Sequence, residues 1–532
     1  MRIQTFDTTL RDGTQGEAVS FSVEEKILIC QKLDELGIDY IEGGWPGSNP
    51  KDRDFFAKAR SLKLKHSKLT AFGSTRMAKN PVHEDRNVRE LVDAGTPVVA
   101  IFGKTWDLHV HRALGITLEE NLALISETVA YLKAHDKEVV YDAEHFFDGY
   151  IHNSEYALQT LAAAKDAGAD VLCLCDTNGG TMTDLLTEVV GVVRARFEGE
   201  IGIHVHNDGD VAVANTLAAV KSGATHVQGC INGYGERCGN ANLASVIANL
   251  ELKFGHQTIG PDKLQLLTPT ARFIAELANL QIPHGQAYVG SAAFAHKGGI
   301  HVSAVLKDSR TYEHVSPELV GNRQRVLVSE MSGRSNIDYL LKDYPELAGR
   351  LDPDARRRLV DRVKNAEFEG YDLEAADGTV ELFLRQELHP NAKFFELHGY
   401  EVMVVGGRAK ATRATATVSI GTKAGDLVET AHGHGPVHAL DQCLRRCLAD
   451  TPGISDVHLI DYKVRVLDSK MGTAAKVRVL VEWSHGDHTW TTVGVSEDVI
   501  EASWEALVSA LKLELMRLLE TGTNVAEYCW TA

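Results

Sequence analysis

IGIHVHNDGD, residues 201–210, carries an apolar run into two imidazoles and then breaks. In a strand, side chains at i and i+2 face the same side, so His204 and His206 project together. Asn207, Asp208 and Gly209 follow at once and end the strand. Taken alone, the pair fits two readings. One is a pair of hydrogen-bonded interior histidines. The other is two neutral imidazoles set side by side for a divalent transition metal.

The surrounding chain repeats one unit to about residue 255. Short β-branched runs (IQTFDTT, DYIEGGW, LTAFGST, PVVAIFG, EVVYDAE, ADVLCLC, IGIHVHN, HVQGCIN) alternate with amphipathic stretches such as SVEEKILICQKLDELG and TLEENLALISETVAYLKAHD. Several of these stretches close on glycine (LDELG, LVDAG, AKDAG, VKSG), a helix C-cap signal ahead of the next strand. Eight strand–helix units predict an α/β fold, a (β/α)8 TIM barrel. The histidines then stand at the C-terminal end of its seventh strand, the mouth where barrel active sites lie. A doubly wound open sheet is the structural alternative, but no strand-linked GxGxxG fingerprint is present.

Further along, helical stretches mix with Gly-rich loops such as AFAHKGGIH, and from about residue 391 the texture turns β-rich. ATRATATVSIG and DLVETAHG precede a helix, PVHALDQCLRRCLA. DYKVRVL, AAKVRVLVEW and HTWTTVGV precede another, SEDVIEASWEALVSALKLELM. We expect two β-rich repeats, each closed by a helix. The expected domains are a catalytic barrel over 1–265, helical linker subdomains over 266–390 and a C-terminal α+β regulatory, dimerising domain over 391–532.

Composition limits the function classes. With 44% hydrophobic and 24% charged residues, the 532-residue chain reads as an ordinary globular enzyme of several domains. A net charge of −18 argues against a nucleic-acid or anionic-membrane surface, while leaving room for a local basic pocket. No apolar run reaches the roughly 18 residues a membrane span needs. The start, MRIQTFDTTLRDG, lacks a cationic segment, an apolar core and a cleavage site. The eight cysteines are scattered without a CxxC pair, so reduced packing residues in a cytoplasmic protein are expected.

Other strand ends bear on the two histidines. TTLRDGTQ places Arg11 and Asp12 at the same barrel mouth, and NGYGERCGNANL places Asn240 after the eighth strand. A carboxylate, two imidazoles and an amide oxygen make a plausible mixed coordination set with open positions. Asp12 and Asn240 each have an alternative role as helix caps.

TTLRDGTQ, HVHND and NGYGERCGNANL resemble the signatures of the DRE-TIM metallolyases, narrowly the isopropylmalate, homocitrate and citramalate synthase family. EGGWPGSNPKD, TWDLHV, YDAEHFFDGY, CDTNGG, AFAHKGGIH and DYKVRVL resemble its citramalate synthase branch. The resemblance implies an acyltransferase that joins acetyl-CoA to a 2-oxo acid in a metal-dependent Claisen condensation. Pyruvate is the expected oxo acid, giving (R)-citramalate and CoA in isoleucine biosynthesis. A larger oxo acid, as in isopropylmalate or homocitrate synthesis, is the alternative.

By motif, Asp12, His204, His206 and Asn240 would bind the divalent metal (Mg, Mn or Zn). Arg11 would face the substrate carbonyl, braced by Glu42. Thr177 would hold the oxo-acid carboxylate. Glu144 and His301 would form the proton-transferring pair, with Tyr312 near the thioester. The family also implies a homodimer or dimer-based oligomer. Without the resemblance, His301 reads as a surface histidine, Thr177 as a helix cap and Tyr312 as a packing residue.

Two further expectations follow. Phe72, Phe102 and Tyr141 are candidates for a wall that limits substrate size, subject to a register in which a one-residue slip reverses each. ETAHGHGPVHALD sets glycines before a helix start, where free N–H groups favour a carboxylate. An amino-acid effector, isoleucine, suits such a site. The family loop often reads GNGPV with a following Asn, whereas this chain carries His434 and His438.

Overall fold

Eight short strands close on themselves in chain order: β1 (Gln4–Asp7), β2 (Tyr40–Gly44), β3 (Lys68–Ser74), β4 (Val98–Lys104), β5 (Glu138–Glu144), β6 (Val171–Asp176), β7 (Glu200–Val205) and β8 (His226–Gly229). All neighbours are parallel, and β8 returns to β1 with Gln4 opposite His226 and Asp7 opposite Gly229. In the computed structural model the described residues are 1–327, 334–342, 344–407, 410–423, 425–449, 451, 453–467, 474–486 and 488–521. They divide into two compact units. The first is Met1–Phe294 with His314–Gln324, and the second is Ala295–Glu313 with Arg325–Ala532.

Alternation along the barrel strands builds two separate layers. Val98, Ala100 and Phe102 on β4 face the barrel interior, with Phe6, Tyr40, Phe72, Val140, Cys173 and Cys175. Val99 and Ile101 on the same strand, and Val139, Tyr141 and Ala143 on β5, join the layer between strands and helices. The helix Val23–Leu36 meets that layer with Ile29, Leu33 and Leu36, each fully buried. Burial of one such side chain contributes about 1.5–3 kcal/mol.

Local signals set the helix ends. Ser22 and Glu25 form a capping box before the first helix, and Thr117 and Glu120 form another before Leu118–Ala134. The four glycines read as C-caps, Gly37, Gly95, Gly168 and Gly223, all have positive φ, between 76° and 108°. That is the region where a Cβ is penalised.

The second unit holds a two-residue parallel pair, β9 (Ala295–His296) with β10 (Arg325–Val326), and helices at Gly299–Val305, Arg334–Leu340, Pro353–Glu369 and Asp377–Leu388. Two three-stranded antiparallel sheets follow. β11 (Glu396–Gly407), β12 (Lys410–Thr422) and β13 (Gly425–Gly433) precede the helix Pro436–Cys447. β14 (His458–Val466), β15 (Val477–His485) and β16 (His488–Ser496) precede the helix Val499–Glu520.

The sequence reading of the first repeat lacked β11. Its core, EVMVV, does not alternate, and register shifts at Leu397/Gly399 and Val405/Gly407 break the strand's period. Its identity as a strand comes from pairing along β12, a non-local contact that no local pattern carries.

Candidate active site

The C-terminal ends of the barrel strands surround a cavity of about 250 Å3, lined by Arg11, Asp12, Gln15, Trp45, Phe72, Phe102, Asp142, Glu144, Cys175, Thr177, His204, His206 and Glu236. Every interior contribution obeys the period of two: Phe102 on β4, Asp142 and Glu144 on β5, Cys175 on β6, His204 on β7.

Asp12 follows β1 and lies between the two imidazoles. Its Oδ2 is 3.3 Å from His204 Nε2 and 3.8 Å from His206 Nε2. All three residues are buried, and one ligand atom of each lies within 4.8 Å of the others. Asp12 flanks a short 3-10 turn but makes no capping hydrogen bond, so its carboxylate is not spent there. The cap of the helix Leu243–Leu252 is Asn242, which leaves the Asn240 side chain available. Asn240 Nδ2 donates to Cys230 Sγ at 3.5 Å, and among the described residues its buried Oδ1 has no hydrogen-bond partner. Asp12 Oδ1 is likewise unpartnered and buried. An orphaned buried oxygen costs about 1–3 kcal/mol when left unsatisfied. A divalent cation fits that donor set.

The charges are consistent with it. Burial alone would raise Asp12, but Arg11, His204 and His206 outweigh it and hold the carboxyl well below its usual range. Burial would lower His204, yet Asp12 lifts it. For His206, burial and the neighbouring His204 act together and push it down to about 3, which keeps this imidazole neutral.

Behind His204 stands a buried relay. His204 Nδ1 donates to Gln228 Oε1 at 3.0 Å, and Gln228 Nε2 donates to Asp142 Oδ1 at 2.9 Å. The Asp142 carboxylate fixes which end of the Gln228 amide faces His204. The amide oxygen then holds the proton on Nδ1 and leaves Nε2 bare toward Asp12. Burial raises Asp142, with His204 and Arg11 offsetting part of the shift. Asp142 also groups with Cys173 and Cys175 as a second buried set of ligand atoms. Sequence reading passed over Asp142 and Gln228, although Asp142 lies two residues before Glu144 and so shares its face.

Arg11 is fixed from three sides. Its Nε donates to Glu42 on β2, its Nη1 is 3.4 Å from Asp12 Oδ2, and its guanidinium lies 3.8 Å above the Phe72 ring. Burial would lower it, but Glu42 and Asp12 hold it protonated. Burial raises Glu42, and Arg11 offsets part of that.

Phe72 and Phe102 stack at 5.6 Å, and Trp45 meets each edge-on at 5.8 Å. Sequence reading missed Trp45 as a wall residue. Its backbone N–H donates to Asp52 Oδ2 at 3.0 Å and its Nε1 to Asn87 Oδ1 at 2.6 Å. Asp52 is itself clamped by the buried Lys26 ammonium at 2.5 Å. Tyr141, the third size candidate, is corrected: it is one residue out of phase and packs between strand and helices.

Glu144 ends β5 and pairs with Lys104, its register partner on β4. Thr177 is not a helix cap; the helix Thr183–Arg196 begins after Met182. Its Oγ1 accepts from the His145 backbone N–H at 2.9 Å, which leaves its own O–H to donate elsewhere. Arg237 donates to the Thr177 carbonyl at 2.7 Å while gripping Asp208 with two bonds, which ties the loops after β6, β7 and β8. His301 and Tyr312 belong to the second unit, where their rings stack at 4.2 Å.

A family described as HMGL-like matches residues 2–271. One described as homocitrate synthase post-HMGL domain-like matches 288–369, and one described as the LeuA allosteric (dimerisation) domain matches 374–515. The (R)-citramalate synthase of Aquifex aeolicus is 50% identical over 524 residues, 98% of this chain and 99% of that one. The (R)-citramalate synthase of Geobacter sulfurreducens is 50% identical over 516 residues, 96% of this chain and 97% of that one. Among solved structures, the HMG-CoA lyase of Bacillus subtilis is similar with a TM-score of 0.47 and 22% identity, covering 53% of this chain and 95% of its own.

Proposed function

The chain belongs to the HMGL-like family, and on that premise we propose that it condenses acetyl-CoA with pyruvate and hydrolyses the product thioester to (R)-citramalate and CoA. One observation carries this reading: the buried Asp12–His204–His206 cluster beside the Arg11 guanidinium, in a small cavity walled by Trp45, Phe72 and Phe102.

Asp12, His204, His206 and Asn240 would hold the divalent ion (Mg, Mn or Zn), and that ion, when bound, supplies Lewis acidity to the keto group of a 2-oxo acid. Arg11, kept cationic by Glu42 and Asp12, offsets the negative charge that grows on the C2 oxygen as the new bond forms. The free O–H of Thr177 donates to the pyruvate carboxylate. His301 and Glu144 carry the proton transfer. His301 takes a proton from the acetyl methyl, and the resulting carbon nucleophile attacks C2 of pyruvate. Water then cleaves the thioester, adding OH to the acyl carbon, and the thiol leaves as CoA. Tyr312, stacked on His301, belongs to the thioester side.

The functional division we propose is a catalytic barrel over 1–265, a linker over 266–390 and a regulatory region over 391–532. The reaction serves isoleucine biosynthesis in the cytoplasm. The chain works as a homodimer, and isoleucine is the effector of the C-terminal region. Among the described residues, no helix is long and apolar enough to cross a membrane.

The aromatic wall favours a methyl side group over the larger groups of the isopropylmalate and homocitrate reactions. A CoA-release assay with acetyl-CoA and a panel of 2-oxo acids tests this. We expect pyruvate to exceed 2-oxoisovalerate in kcat/KM by at least about tenfold, and the reverse order overturns the assignment. His301→Ala should abolish CoA release while pyruvate binding stays nearly intact. Wild-type turnover in that variant would remove His301 from the chemistry.

A further inference from the structure

In the second unit, the helices Pro353–Glu369 and Val499–Glu520 and the segment after Leu388 border a cleft of about 490 Å3. Its floor is apolar: Phe394, Phe395 and Met516 are buried. Its cations are Arg362, Lys393 and Lys512. In a chain of net charge −18, two of these cations, Arg362 and Lys512, are half-buried.

The Arg362 guanidinium stacks over the Phe383 ring at 3.8 Å and donates through Nη2 to Gln386 Oε1 at 2.5 Å. Lys512 has the Phe395 ring 5.3 Å from its Nζ, and among the described residues neither it nor Arg362 has an ion-pair partner. Burial lowers both groups below their ordinary range. The other titratable groups of the cleft are accounted for. Glu387 pairs with Arg358 at 3.0 Å and also attracts Arg362, and His389 faces Glu520 at 3.0 Å. Glu396 is exposed, so its charge offsets the cations only weakly. The lining sets three cations against two carboxylates, and a half-buried guanidinium and ammonium over an apolar floor keep spare N–H donors that suit an oxyanion.

We propose that this cleft binds a small oxyanion, a carboxylate or a phosphate, between Arg362 and Lys512, with any short apolar group of the ligand resting on Phe394, Phe395 and Met516. The site lies in a different unit from the barrel cavity and does not depend on the condensation reaction. Occupying it ties the helix Pro353–Glu369 to the helix that closes the last sheet.

Thermal unfolding of the full-length protein, followed with inorganic phosphate or butyrate against sodium chloride at equal ionic strength, tests the proposal. The expected result is a saturable rise in Tm with one of the two oxyanions beyond that of chloride; which one responds identifies the source of the anion. The apparent affinity should fall at least about tenfold in Lys512→Gln. In anion-free buffer, Lys512→Met should raise Tm, because it removes a partly desolvated charge that only an exposed carboxylate offsets. A rise equal to that of chloride, a Lys512→Gln variant that keeps the wild-type affinity, or a lower Tm for Lys512→Met would each overturn the site. Arg362→Gln gives up the stacking on Phe383 as well, so the lysine variants carry the decision.

Discussion

At the scale of single residues, the proposed ligand set depends on side chains that hold its members in place. His204 reaches Asp12 with the correct nitrogen because Gln228, held by Asp142, keeps the proton on the other one. Gln228→Leu should lower stability by about 1–3 kcal/mol, because it strands the buried His204 Nδ1 and Asp142 Oδ1, and weaken metal binding by about 10–100-fold, read by competition with a chelator. Unchanged affinity would show that the relay is only packing. Asp12→Ala should purify without metal, and a stoichiometric metal content by elemental analysis would count against the ligand set. Asp7, at the end of β1, allows a pH test away from the metal. Burial raises its carboxyl to about 7, although Thr9 and Ile231 donate hydrogen bonds to it. A folded-state value above the unfolded one means stability fully present below about pH 4 and lost as pH rises through about 7. The stability of wild type relative to Asp7→Asn should therefore fall across that window and level off above it. A difference that stays flat with pH would refute it.

At the scale of elements, most of the barrel was legible because its signals are local. The four C-cap glycines and the two capping boxes mark helix ends by backbone geometry and hydrogen bonding within a few residues. The size wall shows where local reading stops. Phe72, Phe102 and Tyr141 were equivalent in sequence, and only the closed barrel turned two inward and one outward. Trp45 escaped notice because its placement depends on Asp52, Lys26 and Asn87, which come from three different helices. β8 carries a similar constraint. A Cβ on Gly229 would stand 2.4 Å from the Ala241 carbonyl oxygen, a backbone atom with little freedom to move. Gly229→Ala should cost about 1–3 kcal/mol in denaturant unfolding. A midpoint within error of wild type would show that the loop after β8 yields.

At the scale of the whole molecule, the chain couples a barrel unit to a second unit built of linker helices and two sheet–helix repeats. Isoleucine should inhibit CoA release in the full chain and leucine should do so less. A flat response to both would remove the effector from the C-terminal region. His434 and His438 stack their rings at 5.6 Å before and within the helix Pro436–Cys447.

By itself the sequence determined the repeat, the hand-off from strand to helix and the positions at which HVHND, LRDG and GNANL end. Those features rest on periodicity and on turn chemistry, which act over a few residues. It left open whether Asp12 and Asn240 were caps or ligands, and which aromatic faced the cavity. Only the tertiary structure decided which aromatic faced the cavity and showed that neither the Asp12 nor the Asn240 side chain caps a helix. Closing the barrel fixed the register and brought the buried Asp12 carboxylate, with one unpaired oxygen, beside two imidazoles. Such contacts join residues more than 190 positions apart, as between Asp12 and His204. No local pattern can encode a distance of that kind, because it exists only once the chain has packed.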